Sequence, residues 1–324
     1  MSTVFLRWII ALFALAAFPV PGIAQIYPSK PVRIVVPFDA GVVDAVARAL
    51  AQKLSEQWGQ PVIIENRPGG GTVIAAGLVA KSPPDGYTLL VAAADTLVIN
   101  PSLMPNISYR PSRDFAMVRG IFAVKHILVV HPTAPITTLP ELVAQLKENP
   151  GKLFYASAGI GGPQHLNMER FLAMANVSAT HLPLKGAGSQ LTELLSGRAT
   201  FGLASIGAVL ASIRAGRLRA VALASDNRNA VVPDVPTFAE GGFPGYDSVS
   251  WFALVAPSGT PPAILDRISN DTAAIMNLPE IRDKRLLDQG LEPFALPQDQ
   301  LSSLVARESE RYSEIIRRIG ATVN

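Results

Sequence analysis

The stretch that decides the fold is residues 31–94, PVRIVVPFDAGVVDAVARALAQKLSEQWGQPVIIENRPGGGTVIAAGLVAKSPPDGYTLLVAAA. Short runs rich in valine, isoleucine and leucine alternate with segments of helical periodicity, in the order strand, loop, helix, strand, glycine-rich loop, helix, strand. Apolar runs without polar alternation are typical of parallel strands that helices cover on both faces. The stretch therefore predicts an open α/β sheet, a class that binds ligands beyond the carboxyl ends of its strands.

The first 24 residues have the composition of a secretory signal peptide. Arg7 supplies the basic start, residues 8–17 are the apolar run, and residues 22–24 offer the small side chains that a signal peptidase reads before Gln25. The alternative is an uncleaved membrane anchor, but the apolar run is shorter than the roughly 20 residues that a span needs. We therefore expect an exported, periplasmic protein.

Composition narrows the possible partners. The chain has 324 residues, of which 49% are hydrophobic, a net charge of +3 and no cysteine. This length accommodates two domains, and the lack of cysteine excludes disulfides, thiolate metal sites and a cysteine nucleophile. Lysine and arginine are scattered without a basic run, so the sequence does not favour nucleic acid as a partner.

Two segments look like junctions between domains. One is the strand-like stretch 118–131, and the other is the proline- and glycine-rich segment 232–247. We expect a first α/β domain made of residues 27–126 and 247–324, with a second α/β domain, residues 127–246, inserted into it. Two crossings of the chain would form a hinge, and the cleft between the domains is the expected ligand site.

The pattern also predicts where strands lie and where helices begin and end. Asp44 is the expected N-cap of the first helix, Thr138 and Glu141 match a capping box, and Gly216 should end a later helix. Beyond residue 257 the chain should be mainly helical. The predicted strands cover residues 33–37, 61–65, 87–93, 126–131, 153–156, 180–184, 220–224 and 249–256.

Three strand-to-helix loops are candidates for ligand chemistry: residues 37–44, 66–71 and 156–163. The first and third could hold a carboxylate with backbone N–H groups and a helix dipole, although both could also be ordinary connections. The second invites a nucleotide interpretation. However, Ile74 stands where the dinucleotide fingerprint needs glycine or alanine, and no Gly-Lys-Ser/Thr ending follows. Its glycines are therefore interpreted as a tight turn.

The histidines do not predict a metal site. His126 and His131 differ by five residues and should lie on opposite faces of one strand, while His165 and His181 look isolated. Ser157 could approach His165, but no acid is placed to orient such a pair, and no Gly-x-Ser-x-Gly elbow is present. A hydrolase is therefore the weakest alternative. We expect a binding protein without catalytic residues, cofactor or metal.

Taken together, these motifs resemble those of the Bug family, also called TctC-type, which comprises extracytoplasmic solute receptors of tripartite tricarboxylate transporters. The resemblance covers residues 27–322. Its motifs are YPSKPVRIVVPF (27–38), ENRPGGG (65–71), PDGYTLL (84–90), NPSL (100–103), PGKLFYAS (150–157), HLPLKG (181–186), PDVPT (233–237) and WFALVAPSGTP (251–261).

The resemblance implies a two-domain periplasmic-binding fold, type II-like, that closes around a small carboxylate or a related metabolite. It implies a monomer whose partners are a large and a small membrane subunit, or alternatively a membrane sensor. By position it implies a ligand site made of Phe38, Asp39, Ala40, Gly41, Val42, Asp44, Ala94 and Thr96 in the first domain and Ser157, Ala158, Gly159, His165, Lys185, Gly186 and Ser205 in the second.

The chain departs from the family pattern in the first loop. The distance from Phe38 to Asp44 is one residue shorter than usual, Val42 replaces a glycine that would allow positive φ, and Leu184 replaces the usual tyrosine. Asp39 adds a negative charge. Like charges about 4 Å apart at an effective dielectric of ~20 repel by about 4 kcal/mol. We expect an altered ligand, more apolar or amine-bearing, or a degenerate site.

Overall fold

The structure is a computed structural model, and it describes residues 27–323. The predicted signal peptide, residues 1–24, lies outside the described residues. Within residues 27–323, no helix has both the length and the apolar character needed to cross a membrane.

The strands form one sheet in the order β2-β1-β3-β9-β4-β7-β5-β6, with β8 and β10 also paired to β4. Their bounds are β1 (Val32–Val36), β2 (Val62–Asn66), β3 (Thr88–Ala93), β4 (Phe115–Val130), β5 (Phe154–Ser157), β6 (Thr180–Pro183), β7 (Phe201–Ser205), β8 (Arg219–Leu223), β9 (Val249–Pro257) and β10 (Leu291–Pro293).

Helices connect most of these strands, as the alternating pattern predicted. Their bounds are α1 (Val42–Trp58), α2 (Val73–Ala80), α3 (Asn100–Leu103), α4 (Pro111–Asp114), α5 (Leu139–Glu148), α6 (Pro163–Met174), α7 (Ala187–Leu195), α8 (Ile206–Arg214), α9 (Pro262–Met276), α10 (Pro279–Ile281) and α11 (Gln298–Ile319). Single turns of tighter or wider helix cover Gly70–Thr72, Asp95–Ile99, Arg282–Leu286 and Leu287–Gln289.

Strand β4 is shared by two groups of strands. Its first part, residues 115–125, pairs antiparallel with β9, whereas residues 126–130 pair antiparallel with β7. The first group contains the parallel strands β1, β2 and β3, and the second contains the parallel strands β5, β6 and β7. We call these groups, with their helices, the first and second lobes.

The chain returns to the first lobe beside the point where it left. The His126 N–H donates to the Ser248 carbonyl at 3.1 Å, and the Ser248 N–H donates to the Ala224 carbonyl at 2.9 Å. The two-domain architecture with two crossings is thus confirmed. The boundaries at 126/127 and 246/247 stay a prediction, which this change of strand partners supports.

Both faces of the central strands are buried, which explains their continuous apolar runs. In β1, Ile34 and Val36 join one apolar cluster and Val35 joins another on the opposite face. In β4, Leu128 and Ile127 divide between two clusters of the second lobe in the same way. Alternation with period two places successive side chains on opposite faces, so a strand covered on both sides needs apolar residues at every position.

Several predicted helix ends are confirmed, and one is wrong. Thr138 and Glu141 form the capping box at the start of α5, and Gly216 adopts a φ of 67° just after α8. The prediction for Asp44 is wrong because α1 begins at Val42 with Gly41 as N-cap, so Asp44 lies within the first helical turn. The predicted strand 126–131 is only the end of the longer β4, and neither β7 nor β10 was predicted.

Two glycines test how tightly the first lobe is packed. A Cβ on Gly120 of β4 would overlap with the Phe294 carbonyl oxygen, whereas a Cβ on the exposed Gly188 of α7 would meet no atom within 4 Å. We expect Gly120→Ala to lower the free energy of unfolding by about 1–3 kcal/mol. Gly188→Ala should raise it by about 0.5–1 kcal/mol, because alanine loses less entropy in a helix. Urea denaturation measures both, and equal effects of the two changes would contradict this packing.

Candidate functional site

A cavity of about 860 Å³ opens where loops of the two lobes meet. Residues 70–71, which follow β2, line one side, and residues 158–162, which follow β5, line the other. Asp95, which follows β3, and residues 103–107 complete most of the wall. The cavity therefore lies beyond the carboxyl ends of parallel strands, where open α/β sheets place their ligands.

The cavity includes part of the site that the sequence predicted. Ala158 and Gly159 line it. The remaining predicted residues lie outside its lining, and their role in ligand binding stays a prediction: Phe38, Asp39, Ala40, Gly41, Val42, Asp44, Ala94, Thr96, Ser157, His165, Lys185, Gly186 and Ser205.

The second glycine loop, which the sequence analysis interpreted as a tight turn, is a wall of the cavity. Gly70 and Gly71 have φ angles of 57° and 59°, which side chains rarely adopt. Behind the loop, the Thr96 hydroxyl donates to the Thr72 hydroxyl at 2.8 Å, and the Asn100 side-chain amide donates to the Gly71 carbonyl at 2.7 Å. Thr96 is fully buried, so it supports the loop from inside rather than facing the cavity.

Backbone N–H groups are the available donors in the cavity. Among the described residues, several members of its lining have a backbone N–H without a hydrogen-bond acceptor, including Gly70 and Gly71 on the first lobe and Ala158 and Ile160 on the second. A polar backbone group removed from water costs free energy unless it finds a partner. Such donors lie on both lobes, so an acceptor group in the cavity would satisfy both sides at once.

Asp95 is the single ionisable residue among the described residues that line the cavity. It is only partly exposed, and burial raises the pKa of its carboxyl to about 6, an effect that its own backbone N–H opposes. At pH 7 most of this group is still ionised. The acid that faces the candidate ligand space is thus Asp95, which the sequence interpretation had not singled out.

The expected isolation of His165 and His181 is wrong. Their rings stack with centroids 4.0 Å apart. Ser157 meets His181 rather than His165, with 2.7 Å between the Ser157 Oγ and the His181 Nε2. The Gly161 N–H donates to the His165 Nδ1 at 3.0 Å. The imidazole of His165 therefore fixes the cavity loop from behind.

The first loop differs from expectation in two respects. Gly41 has an extended backbone with a φ of 175°, and Val42 simply begins α1, so the expected strain at Val42 is wrong. Asp39 is exposed and lies outside the cavity lining, so the expected charge repulsion by Asp39 does not apply to this cavity.

Asp44 is tied to neighbouring side chains. It accepts hydrogen bonds from the Arg48 Nε at 2.8 Å and the Asn66 Nδ2 at 2.8 Å. Asn66 also donates to the Phe38 carbonyl at 2.9 Å. The Arg48 hydrogen bond holds the pKa of Asp44 below its usual range. Asp44 therefore joins the first loop to the end of β2.

The remaining predicted residues of the second lobe surround the cavity loop. The Gly186 N–H donates to the Ala158 carbonyl at 2.9 Å, which links the two loops. Lys185 is exposed, and Ser205 is the residue before α8. Among residues 27–323, no group of three or more histidine or acidic side chains is placed to hold a metal ion.

Comparison with known proteins identifies the family. The TctC family, described as the tripartite tricarboxylate transporter family receptor, matches residues 46–321. The chain belongs to this family. Protein BugT of Bordetella pertussis is 35% identical over 310 residues, which is 95% of each chain. Because the TctC family is one of receptors, the chain is a binding protein rather than an enzyme.

Solved structures agree with this assignment. The structure "R. palustris Rpa4515 with adipate" has a TM-score of 0.80 and 33% identity, and the match covers 92% of this chain and 100% of that one. MatC from Rhodopseudomonas palustris with bound malate has a TM-score of 0.75 and 31% identity, over 90% and 100% of the two chains. The predicted two-domain periplasmic-binding fold is therefore confirmed.

The buried histidines make stability depend on pH. Burial lowers the pKa of His165 to about 4, and burial together with His165 lowers that of His181 to about 3. An unfolded histidine titrates near pH ~6.5. The unfolded state therefore binds more protons below that pH, and stability that is complete above pH ~6.5 is lost as the pH falls toward 4.

We expect His181→Gln to reduce the loss of unfolding free energy between pH 7.5 and pH 5.5 by about 1 kcal/mol. Urea denaturation at the two pH values measures this. The half-exposed His131 offers a control, because His131→Gln should leave the loss as it is in the unmodified protein. Identical pH dependence in both variants would contradict the burial argument.

The Asp44 contacts predict a second effect on stability. Asp44→Asn removes the charge that Arg48 and Asn66 contact, and we expect a loss of about 1–2 kcal/mol at pH 7. Because the folded pKa of Asp44 is lowered, its contribution is present above pH ~4 and is lost as the pH falls further. Denaturation at pH 7 and pH 3 should show the difference shrinking. Asp39→Asn, on the exposed part of the same loop, is the control and should change little.

Proposed function

We propose that the protein is a periplasmic receptor that captures a small metabolite bearing a carboxylate for a tripartite tricarboxylate-type transporter. The observation that carries this proposal is that, among the described residues, the lining of one cavity includes unpaired backbone N–H groups from both lobes, at Gly70 and Gly71 on the first and at Ala158 and Ile160 on the second. The adipate and malate in the structures of Rpa4515 and MatC support a carboxylate as the ligand group.

Backbone hydrogen bonds can contribute much of the free energy needed to bind a carboxylate, without a lysine or arginine. A hydrogen bond to a charged group contributes about 1.5–3 kcal/mol, and a micromolar dissociation constant corresponds to about −8 kcal/mol. Four such donors would contribute about 6–12 kcal/mol, and burial of the ligand's apolar part would add to this against the cost of association. Because the donors are divided between the lobes, a bound acid would favour the conformation in which both lobes contact it.

Under this proposal, five of the predicted site residues take one of two roles. Ala158 and Gly159 would contact the ligand directly. Thr96, His165 and Gly186 would act as supports, since each contacts one of the two loops that line the cavity.

Export and partners complete the proposal. Residues 1–24 would direct the chain to the periplasm as a cleavable signal, and the mature protein would act as a monomer. The lobes, residues 27–126 with 247–324 and residues 127–246, would close about β4. A large and a small membrane subunit would then recognise the closed form.

The binding experiment compares the unmodified protein with two matched variants. Ile160 and Ile63 are each 53% exposed, but only Ile160 lines the cavity. We expect Ile160→Trp to fill the mouth of the cavity and to weaken carboxylate binding at least tenfold. Ile63→Trp should leave binding unchanged.

A thermal-shift screen with mono- and dicarboxylates, amino acids and aromatic acids identifies the ligand. A ligand at 100 times its dissociation constant adds about 2.7 kcal/mol of stability. Isothermal titration then gives the affinity for each variant. Equal affinity in all three proteins would show that binding occurs elsewhere, and no stabilisation by any acid would contradict the proposed function.

A further inference from the structure

The charges around the cavity are unusual for a site that receives an acid. Its described lining contains no lysine, arginine or histidine, and Asp95 is its one ionisable side chain. An anionic ligand would therefore meet backbone donors and one fixed negative charge. A dicarboxylate whose second acid reached Asp95 would be repelled, because like charges in a partly buried site disfavour each other.

Asp95 has no partner of its own in the described residues beyond its own backbone. Burial and that backbone N–H account for the shift of its pKa, without a contribution from any cation. Its neighbour Tyr109 is buried, and the Tyr109 hydroxyl donates to the Thr96 carbonyl at 2.8 Å, so that hydroxyl proton is already engaged. The carboxylate is thus available to a donor on the ligand.

The rest of the wall is apolar. Leu103, Met104 and Ile107 line the cavity from the first lobe. Ile74 and Ile160, one on each lobe, line it as well, although they are 55% and 53% exposed. Large exposed apolar side chains of this kind, grouped at one cavity, mark a surface that buries an apolar ligand or partner.

We propose that the ligand is zwitterionic: its carboxylate accepts from the backbone donors of residues 70–71, 158 and 160, its ammonium pairs with Asp95, and an apolar body contacts the aliphatic wall. This inference rests on the proposed function. It narrows the ligand class to amino acids that have either an apolar side chain or an apolar carbon chain between the amino and carboxyl groups. An ammonium neutralises the one partly buried charge of the described lining, which neither a simple monocarboxylate nor a dicarboxylate does.

The test uses pairs of acids that differ by a single amino group. Leucine is compared with 4-methylpentanoate, and 6-aminohexanoate with hexanoate, while adipate represents a dicarboxylate of similar length. Isothermal titration is carried out on the unmodified protein, Asp95→Asn, Asp95→Glu and Asp266→Asn. Asp266 is an exposed acid of α9 that lies outside the cavity lining, so it controls for the loss of one negative charge.

We expect at least one amino-bearing acid to bind ten or more times tighter than its partner without the amino group. Asp95→Asn should reduce that ratio to about twofold or less, while Asp95→Glu and Asp266→Asn should keep the preference. Should Asp95→Asn fail to fold, the ratios in the unmodified protein and in Asp95→Glu still decide the question.

The outcomes separate this inference from the proposed function. Tight binding of adipate or hexanoate, with no preference for an amino group in the unmodified protein, would overturn the zwitterion and leave the carboxylate receptor intact. A preference that persists in Asp95→Asn would also overturn it. Failure of every acid to bind would instead contradict the proposed function.

Discussion

The structure depends on one long strand that two lobes share. Residues 115–125 of β4 belong to the ladder of the first lobe, and residues 126–130 belong to that of the second. At the change of partners, the buried His126 contacts the Ser248 side chain at 2.8 Å, so both crossings of the chain are held at the same point. Because the carboxyl ends of the parallel strands in each lobe then face a common space, loops from distant parts of the sequence can form one cavity.

A polar cluster joins the lobes beside this point. The Asp247 carboxylate, in the second crossing, accepts from the Arg170 Nη1 of α6 at 2.9 Å and from the Arg311 Nη1 of α11 at 2.8 Å. Arg311 also contacts Glu308, which the Trp251 indole N–H reaches at 3.1 Å. One carboxylate therefore links a helix of each lobe, and breaking the Arg170 contact would leave that partly buried guanidinium without a carboxylate partner. The cluster thus ties both lobes to the chain segment that connects them.

The sequence predicted the parts of this fold that depend on local patterns. Apolar runs identified β1 and β3 because both faces of these strands are buried, and the Thr138 capping box lies within four residues. Features that depend on distant partners were missed. Asp44 is a residue type that often caps helices. Here, however, its carboxylate accepts a hydrogen bond from the side chain of Asn66 at the end of β2. Ser157 and His181 meet because β5 and β6 are adjacent in parallel, a pairing that no spacing along the chain reveals.

The comparison of Asp39 with Asp95 shows why the candidate site could be only half predicted. Both are acids that follow the end of a parallel strand and lie at or just before the start of a helical segment. Local sequence therefore offers no reason to rank Asp95 first. The sheet order then decides, because the loops after β2, β3 and β5 enclose the cavity while the first loop points to solvent at Asp39. A carboxylate surrounded by water has little effect on ligand binding. A carboxylate surrounded by glycine and aliphatic side chains has a large effect, because it is poorly solvated. In the proposed site, backbone donors would hold the ligand's acid without a lysine or arginine. The Asp95 carboxylate alone would then determine the charge that a second group of the ligand must carry.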